Sequence, residues 1–301
     1  MSRLNMRQRE VAWGFLFLSP WIIGFILFGL VPLGTSFYYS LLDFSLLKPD
    51  ETQFVGFANY QRMMADPIVW RSMTLTATYV LIWTPLAVLF PLGIATLLHG
   101  RYLFGKGTFR FLFYLPTLVP DIAVAYIFGG FFFGRGWFYR LVMEPLGISL
   151  TDDPQLIQAI FNTMLVSASL WGVGNIILIL LAAQQGVPKS LYEAAEIDGA
   201  GFMCKFKSIT LPMISPVIFY SVVISLIGAF QFFAAPYLAA GGGVDPDNPA
   251  MFFTIYISRN LSLLQDVGYA ATLSWLLTLF VGTVAGIVFW TSRRLVFYAD
   301  A

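Results

Sequence analysis

The sequence predicts an all-α integral membrane protein with six transmembrane helices. Of its 301 residues, 58% are hydrophobic and only 11% are charged, whereas soluble domains carry about 25% charged residues. Aromatic residues make up 17% of the chain, as expected where side chains face lipid and its interfaces. Several long stretches are almost free of charge, and each exceeds the roughly 20 residues that a helix needs to cross a bilayer.

The first stretch follows a short basic segment, 1–10, that contains Arg3, Arg7 and Arg9. It is longer than the roughly 7–15-residue core of a signal peptide, so we expect an uncleaved first helix. The stretches are 11–42, 72–98, 111–134, 154–188, 208–244 and 267–292. Continuous apolar runs favour helices, because the strands of a membrane barrel alternate over about ten residues. One transmembrane domain, 11–292, is therefore expected, with spans at 12–38, 73–98, 110–133, 158–183, 213–238 and 268–291.

The basic residues predict the orientation of these spans. If the N-terminus is cytoplasmic, most of the 17 lysines and arginines fall in the inside segments, as the positive-inside rule requires. Six spans then return the last segment, 293–301, to the cytoplasm. Prolines at Pro85, Pro91, Pro116, Pro120 and Pro236 are expected to mark kinks or breaks within the spans.

Composition argues against several classes of function. A net charge of +1 gives no basic field for nucleic acid. The single cysteine, Cys204, forms no internal disulfide, and the single histidine, His99, leaves little for a metal site or a catalytic dyad. An intramembrane enzyme would need paired catalytic groups within its spans, so an enzyme and a resident metal are not expected.

The longest inside loop, 184–212, which we call the signature loop, carries the most specific pattern. Residues 191–198 are good helix formers, and Gly199 can end that helix. A second short helix is expected over 202–209. Small side chains at Ala194 and Ala195 would allow another protein to approach closely, and acidic neighbours offer charge-assisted contacts.

The spacing within the signature loop resembles that of ABC importer permeases. In this family Glu-Ala-Ala is followed by three intervening residues and a Gly, then by nine intervening residues and an Ile, and then by one intervening residue and Leu-Pro. Every spacing matches here, from Glu193 to Pro212. The resemblance implies the type I permease fold, with the loop acting as a cytoplasmic coupling helix. The coupling residues it implies are Glu193, Ala194, Ala195, Asp198, Gly199, Ile209, Leu211 and Pro212.

The resemblance covers nearly the whole chain and is closest to the carbohydrate, maltose-type branch, as stretches such as 54–60, 170–174 and 268–271 indicate. It implies a prokaryotic plasma (inner) membrane, a second homologous permease, two ATP-binding subunits and an extracytoplasmic solute-binding protein. Because the chain has no GxxxxGK[ST] phosphate loop, it would bind no cofactor itself, and ATP with Mg would be used by the partner ATPase.

Polar or aromatic residues within the spans are candidates for the substrate pathway. Asp121 is either an acceptor for sugar hydroxyls or the N-terminal cap of a helix that restarts after Pro120. Trp171 could stack on a sugar or serve in packing. The resemblance adds positions in the fourth and fifth spans, and the full candidate set is Asp121, Trp171, Gly172, Asn175, Gly228 and Gln231.

The residues leave one rival class and several solutes open. An ion-coupled secondary transporter of a polar solute often shows internal repeats and buried ionisable groups, but here only Asp121 is ionisable within a span. For the ATP-driven importer, a sugar, an oligosaccharide, a polyol or a glycerol-phosphate derivative all fit the sequence.

Overall fold

The computed structural model describes residues 6–100, 104–132, 137–146, 163, 165–239, 244–248 and 250–297. The chain divides into two compact units, which are considered separately. Unit 1 comprises Met1–Asp66 and Asn260–Leu276, and unit 2 comprises Pro67–Arg259 and Leu277–Ala301. In the described ranges, helices dominate and β structure is limited to a two-stranded sheet and an isolated bridge.

Unit 1 begins with a long apolar helix. Helix α1 (Met6–Phe25) continues through a π-helical turn, Ile26–Leu30, into α2 (Val31–Ser40). A short antiparallel sheet follows, in which β1 (Leu42–Asp43) pairs with β2 (Gln53–Phe54). The sheet is followed by helix α3 (Ala58–Ala65).

The core of unit 1 forms around a buried amide. Asn59 donates hydrogen bonds to the carbonyl oxygens of Ser40 (3.0 Å) and Leu42 (2.8 Å). Gly268 lies so close to the Leu42 carbonyl oxygen that a Cβ atom would collide with it. The stretches 54–60 and 268–271, separate in sequence, therefore meet around one segment of backbone.

An ion pair reinforces the same unit. The guanidinium of Arg62 lies 2.8 Å from a carboxylate oxygen of Asp266 and 4.0 Å from the ring centre of Tyr269. The Tyr269 hydroxyl donates to Asp66 over 2.7 Å, and the Tyr269 amide donates to Asp266 over 3.0 Å. These contacts hold α3 against the start of the last helix, α15 (Val267–Leu295).

Unit 2 contains most of the remaining helices. Its described helices, in order, are α4 (Pro67–His99), α5 (Lys106–Tyr114), α6 (Asp121–Phe132), α7 (Leu165–Trp171), α8 (Gly174–Gln185), α9 (Lys189–Ile197), α10 (Phe202–Lys205), α11 (Leu211–Met213), α12 (Ser215–Phe230), α13 (Ala234–Ala239) and α14 (Phe253–Ser258). This unit also contains one described 3-10 segment, Leu115–Leu118, and π-helical segments at Tyr139–Met143, Phe206–Thr210 and Arg259–Leu263. The last of these runs from unit 2 into unit 1. Helix α4 packs against α8 and α12 to form the core of this unit.

The lengths of the helices fit a multi-span membrane protein. The described residues include four helices long and apolar enough to cross a bilayer: Trp13–Ser40, Pro67–His99, Ser215–Leu238 and Val267–Ser292. Two further pairs pass the same test but are bent, Lys106–Leu118 with Asp121–Phe132 by 94° and Leu165–Trp171 with Gly174–Gln185 by 51°. If each pair is one span, the total is six. The start of the expected fourth span, 158–162, lies outside the described residues.

Proline explains the sharper bend. Val119 precedes Pro120 and has an extended backbone (φ −78°, ψ 126°), as steric contact with a following proline ring favours. The span expected at 110–133 is therefore broken, and α6 restarts at Asp121. By contrast, α4 continues through Pro85 and Pro91 without interruption.

Candidate functional site

The signature loop folds as two short helical arms joined by a tight turn. Pro188 stands immediately before α9, and its fixed φ (−58°) suits a helix start. Helix α9 (Lys189–Ile197) is the first arm, close to the helix expected at 191–198. The second arm, expected as one helix over 202–209, is α10 followed by a π-helical segment, Phe206–Thr210.

Glycine closes the first arm. Gly199 has φ +76°, a left-handed conformation in which an L side chain is strained. The amide of Gly199 donates to the Glu196 carbonyl over 3.1 Å, and the amide of Ala200 donates to the Ala195 carbonyl over 2.8 Å. This pair of bonds is the Schellman motif, which satisfies carbonyls left free at a helix end.

Side chains join the two arms. The hydroxyl oxygens of Tyr192 and Thr210 lie 2.8 Å apart. The ammonium of Lys205 donates to a carboxylate oxygen of Glu196 over 2.8 Å. The first bond is partly buried and the second more exposed, so the turn is fixed at two points along its length.

The outer side of the loop combines apolar and acidic groups. Ile197 is 88% exposed, and Phe202 and Met203, at the start of the second arm, are also exposed. Glu193 and Asp198 are exposed on the same arm. A large apolar side chain left this exposed on a loop outside the apolar spans is typical of an interaction surface.

A buried amide ties the root of the loop to α4. Gln184, only 1% exposed, donates from Nε2 to the Thr96 hydroxyl over 3.0 Å. Both residues line a cavity of about 280 Å³ that also includes His99 and Tyr192. A movement of the loop would therefore also displace the ends of α4 and α8.

A second and larger cavity lies within unit 2. This main cavity has a volume of about 380 Å³. It is lined by α4, the broken pair α5–α6, the bent pair α7–α8, and the segment from α12 to α13. Its described lining residues are Tyr79, Trp83, Pro116, Thr117, Val119, Asp121, Val124, Ala125, Ala168, Ser169, Trp171, Gly172, Asn175, Gly228, Ala229, Phe232 and Ala235.

Stacked rings form one wall of the main cavity. The Tyr79 ring is nearly parallel to those of Phe232 (5.2 Å between centres) and Trp83 (6.4 Å). The Ser169 hydroxyl oxygen lies 2.6 Å from that of Tyr79 and 2.8 Å from the Leu165 carbonyl, and in the bond between the two hydroxyl groups either can be the donor. The wall is thus rigid, and its polar atoms are held in place.

Close backbone packing shapes the opposite side. A Cβ atom on Gly174 would collide with the carbonyl oxygen of Phe113 and would lie 2.8 Å from the Thr117 methyl group. Only glycine lets α8 approach α5 this closely. The bend before α8 then brings Trp171, Gly172 and Asn175 to the cavity.

Five of the six pathway candidates line the main cavity: Asp121, Trp171, Gly172, Asn175 and Gly228. Gln231 does not line it; it follows α12, with its side chain exposed. The Asp121 side chain makes no hydrogen bond within the described residues, although α6 does restart at this position after Pro120. The first backbone bonds of α6 run from the amides of Ala123 (2.9 Å) and Val124 (3.1 Å) to the Pro120 carbonyl, so Pro120 occupies the capping position and Asp121 is the first helical residue. Neither helix position nor a side-chain hydrogen bond within the described residues supports the capping alternative for Asp121.

Sequence reasoning missed the aromatic wall. Tyr79 and Trp83 are four residues apart and so share one face of α4, with Thr76 one turn and Ser72 two turns before Tyr79. This stripe of polar and aromatic residues in an apolar helix could have predicted the aromatic wall. The sequence also gave no sign of the roles of Tyr192, Thr210 and Gln184. Their hydrogen bonds join residues that are far apart in sequence, and such bonds leave no local pattern.

Among the described residues, no group of three or more His, Cys, Asp or Glu could hold a metal ion.

Comparison with known proteins identifies the family. Residues 63–296 match the family described as "Binding-protein-dependent transport system inner membrane component". A probable ABC transporter permease of Bacillus subtilis, YesP, is 32% identical over 98% of this chain and 94% of its own length. The lactose transport permease LacF of Rhizobium radiobacter is 28% identical over 97% of this chain and 98% of its own length.

A solved structure shares the fold. A chain of a bacterial ABC transporter involved in the import of the acidic polysaccharide alginate superposes with a TM-score of 0.78. Its sequence is 19% identical, and the match covers 95% of this chain and 96% of that one. The expected type I permease fold is confirmed.

The chain belongs to the family of inner-membrane components of binding-protein-dependent transport systems. It is an ABC importer permease, a membrane-embedded transport component rather than an enzyme, and its ATPase is a separate subunit. The resemblance seen in the signature loop is thereby confirmed at the level of the whole chain.

Proposed function

We propose that this chain is one of two homologous permease subunits that together form the pathway of an ATP-driven importer for a sugar-like solute. Two ATP-binding subunits, using ATP with Mg, and an extracytoplasmic solute-binding protein complete the assembly. The observation that carries the proposal is the main cavity, on which five residues chosen from sequence converge. A relative that transports lactose supports the choice of solute class.

The main cavity has the chemistry expected of half a sugar pathway. Ligand pockets of about 300–1,000 Å³ combine apolar walls with a few polar groups. Here the ring of Trp171 is 42% exposed and could meet the apolar face of a sugar, with Asn175 and Asp121 available to hydroxyl groups. The exposure of these side chains fits a second permease facing them across the pathway.

The signature loop would transmit the ATPase's motion. In this proposal both termini are cytoplasmic, and α9 docks on the ATPase through Ile197 and its acidic neighbours. Closure of the ATPases would move the loop as a rigid unit, because Tyr192–Thr210 and Glu196–Lys205 hold its arms together. The Gln184–Thr96 bond would carry that movement to α4, which also lines the main cavity.

Reconstitution tests the proposal. The full complex, in proteoliposomes with its binding protein, is expected to accumulate a labelled sugar from a panel that includes lactose, and only when ATP is supplied to the ATPase side. Glu193→Lys should abolish ATPase recovery and uptake at normal membrane yield. Uptake that persists without ATP while a proton gradient is kept would instead favour the ion-coupled transporter. Normal ATPase recovery by the Glu193→Lys variant would remove the docking role.

A further inference from the structure

The main cavity carries charge of one sign only. Among its described lining residues, Asp121 is the only carboxylate, and none is lysine, arginine or histidine. The Asp121 carboxylate is exposed and makes no ion pair or hydrogen bond within the described residues. It begins helix α6, where the positive end of the helix dipole favours a negative group. Among its described lining residues, the cavity therefore carries one negative charge that no basic side chain pairs.

The neutral polar groups of the same cavity include both acceptors and donors. The Ser169 hydroxyl can donate its hydrogen to the Leu165 carbonyl, and the Thr117 hydroxyl donates its hydrogen to the Tyr114 carbonyl over 2.6 Å. The Asn175 amide and the indole groups of Trp83 and Trp171 line the same cavity and carry N–H donors. The neutral groups can therefore bond solute hydroxyl groups in either direction, and among the described lining residues only Asp121 acts against carboxylate, sulfonate or phosphate oxygens.

We propose that this cavity admits neutral hydroxyl-rich and aminated solutes, excludes carboxylated, sulfonated and phosphorylated ones, and owes this selection to Asp121. The inference rests on the proposed function, in that the cavity is taken to be part of the solute pathway. Asp121 is exposed, so water and salt screen its charge in part. A cleft that has low-dielectric walls and carries one sign of charge still enriches ions of the opposite sign, by tenfold or more. Of the solutes that the sequence leaves open, glycerol-phosphate derivatives are then disfavoured.

The charge of the cavity can be measured without knowing the solute. Cys204 is the chain's only cysteine, so Cys204→Ser leaves a background free of thiols in this chain. A new cysteine is then placed on the cavity wall by Gly228→Cys, where an added Cβ meets no atom within 4 Å. In the assembled complex, this thiol is treated with methanethiosulfonates carrying either a trimethylammonium or a sulfonate group. The two reaction rates are read by mass spectrometry of this chain.

The expected result is a cationic-to-anionic rate ratio, relative to a free small thiol, of roughly tenfold. Asp121→Asn, which keeps the shape of the side chain, should bring the ratio near one, and Asp121→Lys should invert it. Asp121→Glu should restore it. A control cysteine at Gly107, exposed on α5 and also free of contacts within 4 Å, should show the same ratio with Asp121 or Asn at position 121.

The outcomes separate this inference from the proposed function. If the ratio at position 228 is unchanged by Asp121→Asn in a complex that transports, charge selection is wrong and the importer assignment stands. If the ratio depends on Asp121 but no ATP-driven uptake occurs, the cavity is charge-selective and the proposed function fails. A second thiol at Gly172→Cys, on another element of the wall, must give the same answer as the first for the inference to hold.

Discussion

The hydroxyl oxygens of Tyr192 and Thr210 lie 2.8 Å apart, which joins the two arms of the signature loop across 18 positions of sequence. Thr210 is buried, so water has little access to its side of this bond. A net hydrogen bond of this kind contributes about 1 kcal/mol. The bond fixes the angle between α9 and the segment that leads into α12.

Removing this bond should loosen the loop. Tyr192→Phe and Thr210→Val are each expected to lower the free energy of local opening by about 1 kcal/mol, and the double variant by little more than either alone. Hydrogen exchange of the amides of α9 measures this opening. Tyr220→Phe, at an exposed tyrosine on α12, is the matched control and should change nothing. Additive effects of the two loop substitutions would mean that the hydroxyl groups are not coupled.

A second prediction concerns the turn at Gly199. An L side chain at φ +76° is strained, at a cost of roughly 1–2 kcal/mol, so Gly199→Ala should distort the end of α9. If the loop docks on the ATPase, this cost should weaken ATPase binding by about tenfold, because each 1.4 kcal/mol is a factor of ten. Recovery of the ATPase with the tagged permease, at matched membrane yield, measures the effect.

The control is two residues away in the same loop. Gly201 has φ −72° and ψ 171°, which any residue adopts, and a Cβ there meets no atom within 4 Å. Gly201→Ala is therefore expected to recover the ATPase normally. Equal loss in both alanine variants would show that the loop tolerates no added methyl group, whatever the backbone conformation.

The signature loop could be predicted from the sequence more fully than the main cavity, because the features that shape the loop are local. Glycine at position 199 and the break at Pro120 are local effects of backbone sterics, so they can be inferred from the residues themselves. The bond between Tyr79 and Ser169 joins residues 90 positions apart, and depends on how α4 packs against α7. The bend between α7 and α8, after Trp171, contains no proline, so it could not be predicted in the same way.

A third prediction tests the packing that shapes the main cavity. Gly174→Ala would place a Cβ against the Phe113 carbonyl and the Thr117 methyl group. Such overpacking typically costs about 1–3 kcal/mol, so the thermal midpoint of the purified protein in detergent should fall by several degrees. Gly93→Ala, on α4 where an added Cβ meets no atom within 4 Å, should leave it unchanged. An undiminished midpoint for Gly174→Ala would mean that α5 and α8 can separate at little cost.

The last prediction concerns Asn59, whose amide donates to the Ser40 and Leu42 carbonyl oxygens in unit 1. Asn59→Ala removes both donors. The Thr272 hydroxyl has a single hydrogen and lies between the carbonyl oxygens of Gly268 (3.0 Å) and Ser40 (3.2 Å), so it replaces the lost donor at Ser40 only in part. The carbonyl oxygens of Ser40 and Leu42 therefore each lose one bond. A buried polar group that loses its partner costs about 1–3 kcal/mol, and unit 1 should be destabilised by that amount.

Limited proteolysis and hydrogen exchange of α3 and the sheet measure the loss of stability in unit 1. Gln61→Ala, two residues further along the same helix and exposed, is the matched control and should behave as the parent protein does. Asn59→Asp provides a further comparison, because it keeps the size of the side chain but replaces the donating NH₂ with an acceptor oxygen. If the hydrogen bonds matter and the volume does not, Asp should be at least as damaging as Ala. A stable Asp variant would show that Asn59 acts by filling space, and that the carbonyl oxygens of Ser40 and Leu42 find other donors.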